Sequence, residues 1–312
     1  MKHWRTIIAV AGLGLLGMPV FGADFPNPTQ PQNFPDPGTL NYVEGTVEFN
    51  GNALTNNHVA NDELRAGQEL ATGAGKAEIL LTPGIFLRVD SNSAVKMISP
   101  DIARTQVELE RGRAGVEVDQ IFPQNMVQII DNGVTTQLMK KGYYEFSTNP
   151  PTAKVFDGQA EVEVTEGIWE KVKGHHELAL VANGAREKTV DIDSHPANDE
   201  LYNWSSLRSQ YLAEANNQIA DEYAYMPGFY PGWYWDPYMW DYTYLGWGPF
   251  YSPFGWGFYP WGGYYGGWGF YGRGFYGHGI YGGRGFAGGV GGFHGGGGFG
   301  GGFGGGGGGG RR

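Results

Sequence analysis

The stretch Val107-Glu108-Leu109-Glu110-Arg111-Gly112-Arg113-Ala114-Gly115-Val116-Glu117-Val118-Asp119 decides the fold. Val107 and Leu109 alternate with Glu108 and Glu110. Beyond Arg111-Gly112, Ala114, Val116 and Val118 alternate with Gly115, Glu117 and Asp119. A period of two puts apolar side chains on one face of a strand and acidic ones on the other, and the intervening Gly marks a turn. The pattern recurs in both directions. Val43, Gly45, Val47 and Phe49 alternate with Glu44, Thr46 and Glu48 before Asn50-Gly51. Ile85, Leu87 and Val89 alternate with Phe86, Arg88 and Asp90 after Pro83-Gly84. Val134, Thr136 and Leu138 follow Asp131-Asn132-Gly133, and Ala160, Val162 and Val164 alternate with Glu161, Glu163 and Thr165. No helical period intervenes before residue 198. The reading is an all-β body over 39–196, with each strand apolar on one face and polar on the other.

The expected core is Val47, Ile79, Leu81, Leu87, Val89, Leu109, Val116, Ile129, Leu138, Phe146 and Val162, within a segment 40–190 that folds without the tail. Glu117 is expected to face water, so that Glu117→Ala is near neutral. The pairs Glu108/Glu110, Glu117/Asp119 and Glu161/Glu163 read as solvated strand faces rather than calcium or acid–base sites. Two stretches echo each other: Tyr42–Phe49 leading to Leu64–Leu70, and Val155–Val162 leading to Val172–Leu178. Such an echo suits a rolled β-sandwich or a short β-solenoid.

The period changes at Ala197. Leu201, Trp204, Ser205, Leu207/Arg208, Tyr211, Leu212, Ala215 and Ile219 recur at three and four, predicting one amphipathic helix over 197–225. Asn198 or Asp199 can cap it, and Pro227-Gly228 ends it. The helix is expected to lie on the β body and bury Trp204.

Beyond residue 225 the composition shifts. Of the 55 glycines in this 312-residue chain, 36 follow Tyr225, together with 29 aromatic residues. The segment 226–268 is aromatic-rich and interrupted by Pro; its spacing is too erratic for barrel strands, and Pro rules out a spanning helix. It carries Trp233, Trp235, Trp240, Trp247, Trp256, Trp261 and Trp268, the candidate partner- or glycan-contacting residues. Such rings can stack on sugars, on bilayer headgroups, on other copies or on the β body. The segment 269–312 is Gly-rich and expected to be disordered, because few large side chains offset its backbone entropy.

The N-terminus is a basic start, Met1–Arg5, then an apolar run of about a dozen residues from Ile7, then small residues at Val20–Ala23. This reads as a signal peptide over 1–22, with the mature chain beginning at Ala23 or Asp24. A Pro-rich linker spans 23–38, and the mature chain is expected to hold no transmembrane span. The formal net charge is −11, and residues 23–225 carry 15 basic against 30 acidic groups. Such a body is unsuited to nucleic acid. Absence of Cys excludes disulfides, thiolate metal sites and Cys nucleophiles. His175 and His176 are adjacent, without metal-ligand spacing. There is no Gly-x-Ser-x-Gly elbow, P-loop or dinucleotide motif. No cofactor, metal or catalytic residue is expected.

Several of these stretches together resemble the FecR-type periplasmic domain. They are Gly45-Thr46-Val47; Leu64-x-x-Gly67-x-x-Leu70-x-Thr72; Ala77–Leu81; Pro83–Val89; Val107–Ala114; and Val127–Phe146. The last usually ends in Gly-Thr-x-aromatic; here Lys141-Gly142-Tyr143-Tyr144 replaces the Thr. The resemblance covers roughly 40–181 and implies a FecR-like β-domain outside the cytoplasm. Sigma-regulating members place a helical cytoplasmic region before a membrane helix, which this sequence does not show. The implied function is therefore that of a non-catalytic exported protein of the periplasm or cell surface, binding a protein or glycan. The alternatives are a carbohydrate-binding module using the tail aromatics, or a self-associating surface protein. A membrane surface is a further possible contact.

Overall fold

Fifteen strands form a single sheet. They are β1 (Leu40–Phe49), β2 (Asn52–Ala53), β3 (Glu69–Leu80), β4 (Ile85–Val89) and β5 (Ala94–Asp101). Next come β6 (Arg104–Arg111), β7 (Arg113–Val118), β8 (Met126–Asp131), β9 (Val134–Leu138) and β10 (Gly142–Thr148). The last are β11 (Pro151–Asp157), β12 (Gln159–Thr165), β13 (Ile168–Lys173), β14 (His176–Ala179) and β15 (Val190–Asp191). The computed structural model describes residues 35–54, 59–181, 188–224, 230–246 and 250–258. The expected leader, most of the Pro-rich linker and the Gly-rich tail lie outside the described residues.

The strand order is β13-β12-β9-β8-β6-β5-β3-β4-β7-β10-β11-β14-β15, with β1 also paired to β3. Every ladder is antiparallel except β6–β8. That favours the rolled antiparallel sheet over a solenoid, whose coils are parallel. The sheet wraps one core: Val172 of β13 and Leu178 of β14, far apart in strand order, belong to the same buried cluster. All eleven residues expected in the core lie in it. Asn50-Gly51 and Asn132-Gly133 both have positive φ, the conformation that two-residue hairpin turns require and Asn and Gly tolerate.

β4 is buried at every position and β10 at its first five. Their inner faces meet the core; their outer faces are covered by the C-terminal third of the described chain. The helix α1 spans Glu200–Ala224. Two hairpins follow: β16 (Gly232–Asp236) with β17 (Asp241–Leu245), and β18 (Phe250–Tyr251) with β19 (Gly257–Phe258). The erratic aromatic spacing thus conceals short strands. Trp233, Tyr234, Thr243, Tyr244 and Leu245 are all buried, so aromatics fall on both faces and no alternation survives.

Asp199 caps the helix, its Oδ1 accepting from the Leu201 N–H at 3.1 Å and the Tyr202 N–H at 3.3 Å. The buried face is Leu201, Ser205, Arg208, Leu212, Ala215 and Ile219, a four-three repeat. It differs from the expected stripe. Leu207 and Tyr211 are exposed and Trp204 is only half-buried, while Ser205 and Arg208, which the stripe includes, do turn inward. The inward polar groups are explained by what they face.

Candidate functional site

The outer face of the central strands carries charge. Glu78 pairs with Arg88 across β3–β4, Arg88 with Gly115 across β4–β7, and Gly115 with Glu145 across β7–β10. The adjacent row is Leu80, Phe86, Glu117 and Tyr143. Arg88, wholly buried, donates from Nε to Glu78 Oε2 at 2.8 Å, and its Nη1 lies 2.6 Å from Glu117 Oε2. The expected solvent exposure of Glu117 and Asp119 is therefore wrong: both are buried, Glu117 against the helix and Asp119 near Tyr244 of the first hairpin. Ser209 donates to Glu117 Oε1 at 2.7 Å. A near-neutral Glu117→Ala no longer follows, because the change would strip Arg88 of a buried counter-ion.

Arg208 joins helix, sheet and hairpin. Its Nη2 donates to Glu78 Oε1 and to Asp241 Oδ2, each at 2.9 Å. Asn41 completes the junction, donating to Glu78 Oε1 at 2.9 Å and exchanging hydrogen bonds with the Tyr242 backbone. Arg113 ties Glu145, at 2.7 Å, to the capping Asp199, at 2.6 Å. Tyr143 donates to Glu145, and its hydroxyl meets Ser205 Oγ at 2.9 Å. Gly115 makes room for that hydroxyl, since a Cβ there would sit 2.4 Å from it.

Burial pushes the Glu78 carboxyl up, but Arg208 and Arg88 outweigh it and hold it down at about 2. Burial, aided by Asp199 and opposed by Arg113, raises Glu145 to about 7. Burial raises Asp241 to about 6 against the pull of Arg208. Burial and the neighbouring Glu117 raise Asp119. These groups lie behind the helix and the first hairpin, and the arrangement is a latch that fixes α1 and the β16–β17 hairpin onto the sheet.

Asp131 is a separate case. It is buried at the end of β8, neither carboxylate oxygen has a hydrogen-bond partner among the described residues, and burial alone raises it to about 7. The folded chain then holds this proton more tightly than the unfolded one. Its stabilising effect is full below about pH 4 and is lost as pH rises through about 7, by at most about 1.4 kcal/mol per pH unit. Asp131→Asn is expected to remove that part of the slope in thermal unfolding between pH 4.5 and 7.5. Identical slopes for both proteins would show Asp131 to be ionised in the fold.

No family model matches the chain, and no curated protein matches it. Among solved structures it is similar to a protein provisionally described as an anti-sigma factor from Parabacteroides distasonis, seen in crystal structures at 1.65 and 2.50 Å resolution. Each is 10% identical with a TM-score of 0.36, and the match covers 41% of this chain and 62% of that one. The chain thus matches less than two thirds of that protein's length, and a likeness of this degree carries no argument about activity.

The candidate aromatic residues separate by environment. Trp233 is 3% exposed and packs on Phe86 at 5.0 Å and Tyr244 at 5.9 Å between ring centroids. Trp256 is half-buried and donates from Nε1 to the Ser206 carbonyl at 3.0 Å, docking the second hairpin on the helix. Trp235 is half-buried, edge-on to Tyr242 at 5.1 Å and to Trp240 at 6.2 Å. Trp240 is 72% exposed, with Tyr238 at 75% and Met239 at 42%. Trp247, Trp261 and Trp268 lie outside the described residues. The exposed three form the turn between β16 and β17, which holds no charged side chain. Asp236 shapes it, accepting from the Tyr238 N–H at its Oδ1 and from the Trp240 N–H at its carbonyl. Tyr238 and Met239 are contributors the sequence reading did not single out. The available signal was Pro237, which marks the turn that lifts the next residues away from the strands.

Among the described residues no group of His, Asp and Glu is disposed to hold a metal ion, and no helix is long and apolar enough to cross a membrane. His175 lies in a turn at positive φ, while His176 opens β14 with its Nε2 3.2 Å from Asp191.

Proposed function

We propose that this chain is a non-catalytic exported binding protein of the cell envelope, in which a FecR-like β body presents an aromatic C-terminal segment to a glycan or protein partner. One observation carries the reading: the uncharged tip Tyr238-Met239-Trp240 is exposed, while the base of its hairpin is held by Asp241 on Arg208 and by Asn41 on the Tyr242 backbone. Large exposed rings on a fixed support contribute contact area at little entropic cost, as recognition surfaces require. The expected leader supports export, and the resemblance over 40–181 supports an extracytoplasmic domain. The ion pairs beneath the helix serve the support rather than a reaction.

The test is a fluorescence titration of the full chain with soluble peptidoglycan fragments and a panel of envelope oligosaccharides. Trp emission should shift on binding, and the double change Tyr238→Ala/Trp240→Ala should weaken binding by about tenfold or more, as loss of two aromatic contacts implies. Unchanged affinity in the double variant would remove the tip from the interface. Self-association of the full chain, read by sedimentation and abolished by the same changes, would make another copy the partner.

A further inference from the structure

A separate cleft lies where the second hairpin meets the helix and β11. It has a volume of about 120 Å³, with Tyr143, Phe156, Tyr202 and Phe254 as its aromatic wall and Asp157 at its rim. Tyr143 and Phe254 have centroids 4.7 Å apart, Phe156 and Tyr202 5.0 Å, and Tyr202 and Phe254 5.2 Å. Nothing can enter between rings so close, so a ligand meets the cluster from the cleft side. The space suits a group of a few heavy atoms.

Around this wall carboxylates outnumber cations, which are Arg113, paired to Glu145 and Asp199, and Lys154, opposite Glu145 across β10–β11. Glu145, Asp193 and Asp157 all act on the Tyr202 hydroxyl, which burial and these carboxylates push up to about 12. Glu145 is matched by Arg113, but Asp157 and Asp193 form no ion pair among the described residues. Asp157 accepts the Gly158 N–H, and Asp193 accepts the His195 N–H. Two imidazoles, His175 and His195, stand at the edge. Aromatic faces attract a cation through their quadrupoles, and nearby carboxylates add to that attraction in a half-dry site. A neutral sugar would gain from the rings alone, and an anion would be repelled. We propose that this cleft binds an organic cation, a guanidinium or alkylammonium group, with Tyr202 and Phe254 as the ring surface and Asp157 as the counter-charge. The acidic body would draw such a ligand in from solution.

Calorimetric titration of the full chain tests this, with agmatine, acetyl-arginine amide and tetramethylammonium as probes and glucose as the neutral control. The cations should bind and glucose should not. Asp157→Asn and Phe254→Ala should each weaken cation binding at least about fivefold. Raising salt to 0.5 M should weaken it too, as screening demands. Asp193→Asn, at an exposed position, repeats the charge test without touching the aromatic wall. Binding of agmatine alone would make the ligand a free amine; binding of acetyl-arginine amide as well would admit a peptide side chain. Tyr238→Ala/Trp240→Ala should leave cation affinity within twofold, which separates this site from the hairpin tip. Binding of glucose but not cations, no binding of any probe, or unchanged affinity in both Asn variants would overturn the proposal.

Discussion

Arg88→Ala is expected to lower the free energy of unfolding by about 3–5 kcal/mol, the usual result of removing one partner from a buried ion pair. Arg88 has no exposure, and it alone stands between Glu78 and Glu117. Without it two carboxylates remain behind the helix. Glu78 keeps Arg208, but Glu117 is left with the Ser209 hydroxyl and the neighbouring acid Asp119 and no cation, so at least one acid must take up a proton or admit water. The docking of α1 and the first hairpin should loosen before the core does. Trp233, seated on Phe86, should therefore report unfolding at lower urea than far-UV circular dichroism. Replacing the charges together, as Arg88→Met with Glu117→Gln, should recover much of the loss, because the desolvation cost disappears with the charge. A loss below about 1 kcal/mol in Arg88→Ala would mean that water already reaches this face.

Leu87→Ala, one residue earlier and on the opposite face of β4, is expected to cost about 2–5 kcal/mol through lost transfer energy and the cavity left behind. Leu87 sits in the main cluster, opposite Ile79 on β3 and Val116 on β7. Its loss weakens the wrapped sheet itself, so fluorescence and circular dichroism should move together. The two substitutions thus distinguish the faces of one strand by whether the probes separate. Coincident transitions in Arg88→Ala would show the latch and the core to be one cooperative unit.

The inner face was legible in the sequence because period-two alternation states directly which side chains share a face. The eleven core positions follow from it. The helix was legible from its three-and-four spacing and its Asp199 cap. What alternation cannot state is whether the second face is wet. Glu78, Arg88 and Glu117 look like solvated strand residues, and the group that covers them arrives late: Arg208 lies 130 positions beyond Glu78. The one local sign was in the helix, whose four-three seam holds Ser205 and Arg208 where an apolar partner would call for Leu. The hairpin tip was legible only in part. Composition flagged Trp240, but the turn that exposes it, and burial of Trp233 seven residues earlier, depend on contacts with Phe86 and Tyr244.

The charged character of the covered face bears on how the chain is made. Strands β3, β4, β7 and β10 are synthesised before the helix and hairpin that cover them. Until those arrive, this face presents Glu78, Arg88, Glu117 and Glu145 to water. Had it been Leu and Phe throughout, the half-made chain would display a broad sticky sheet, the kind of surface through which nascent proteins adhere to one another. Instead charged groups interrupt Leu80, Phe86 and Tyr143, with Arg88 already between two acids. Arg208 and Asp241 close it only when the helix and hairpin dock, each exchanging water for partners.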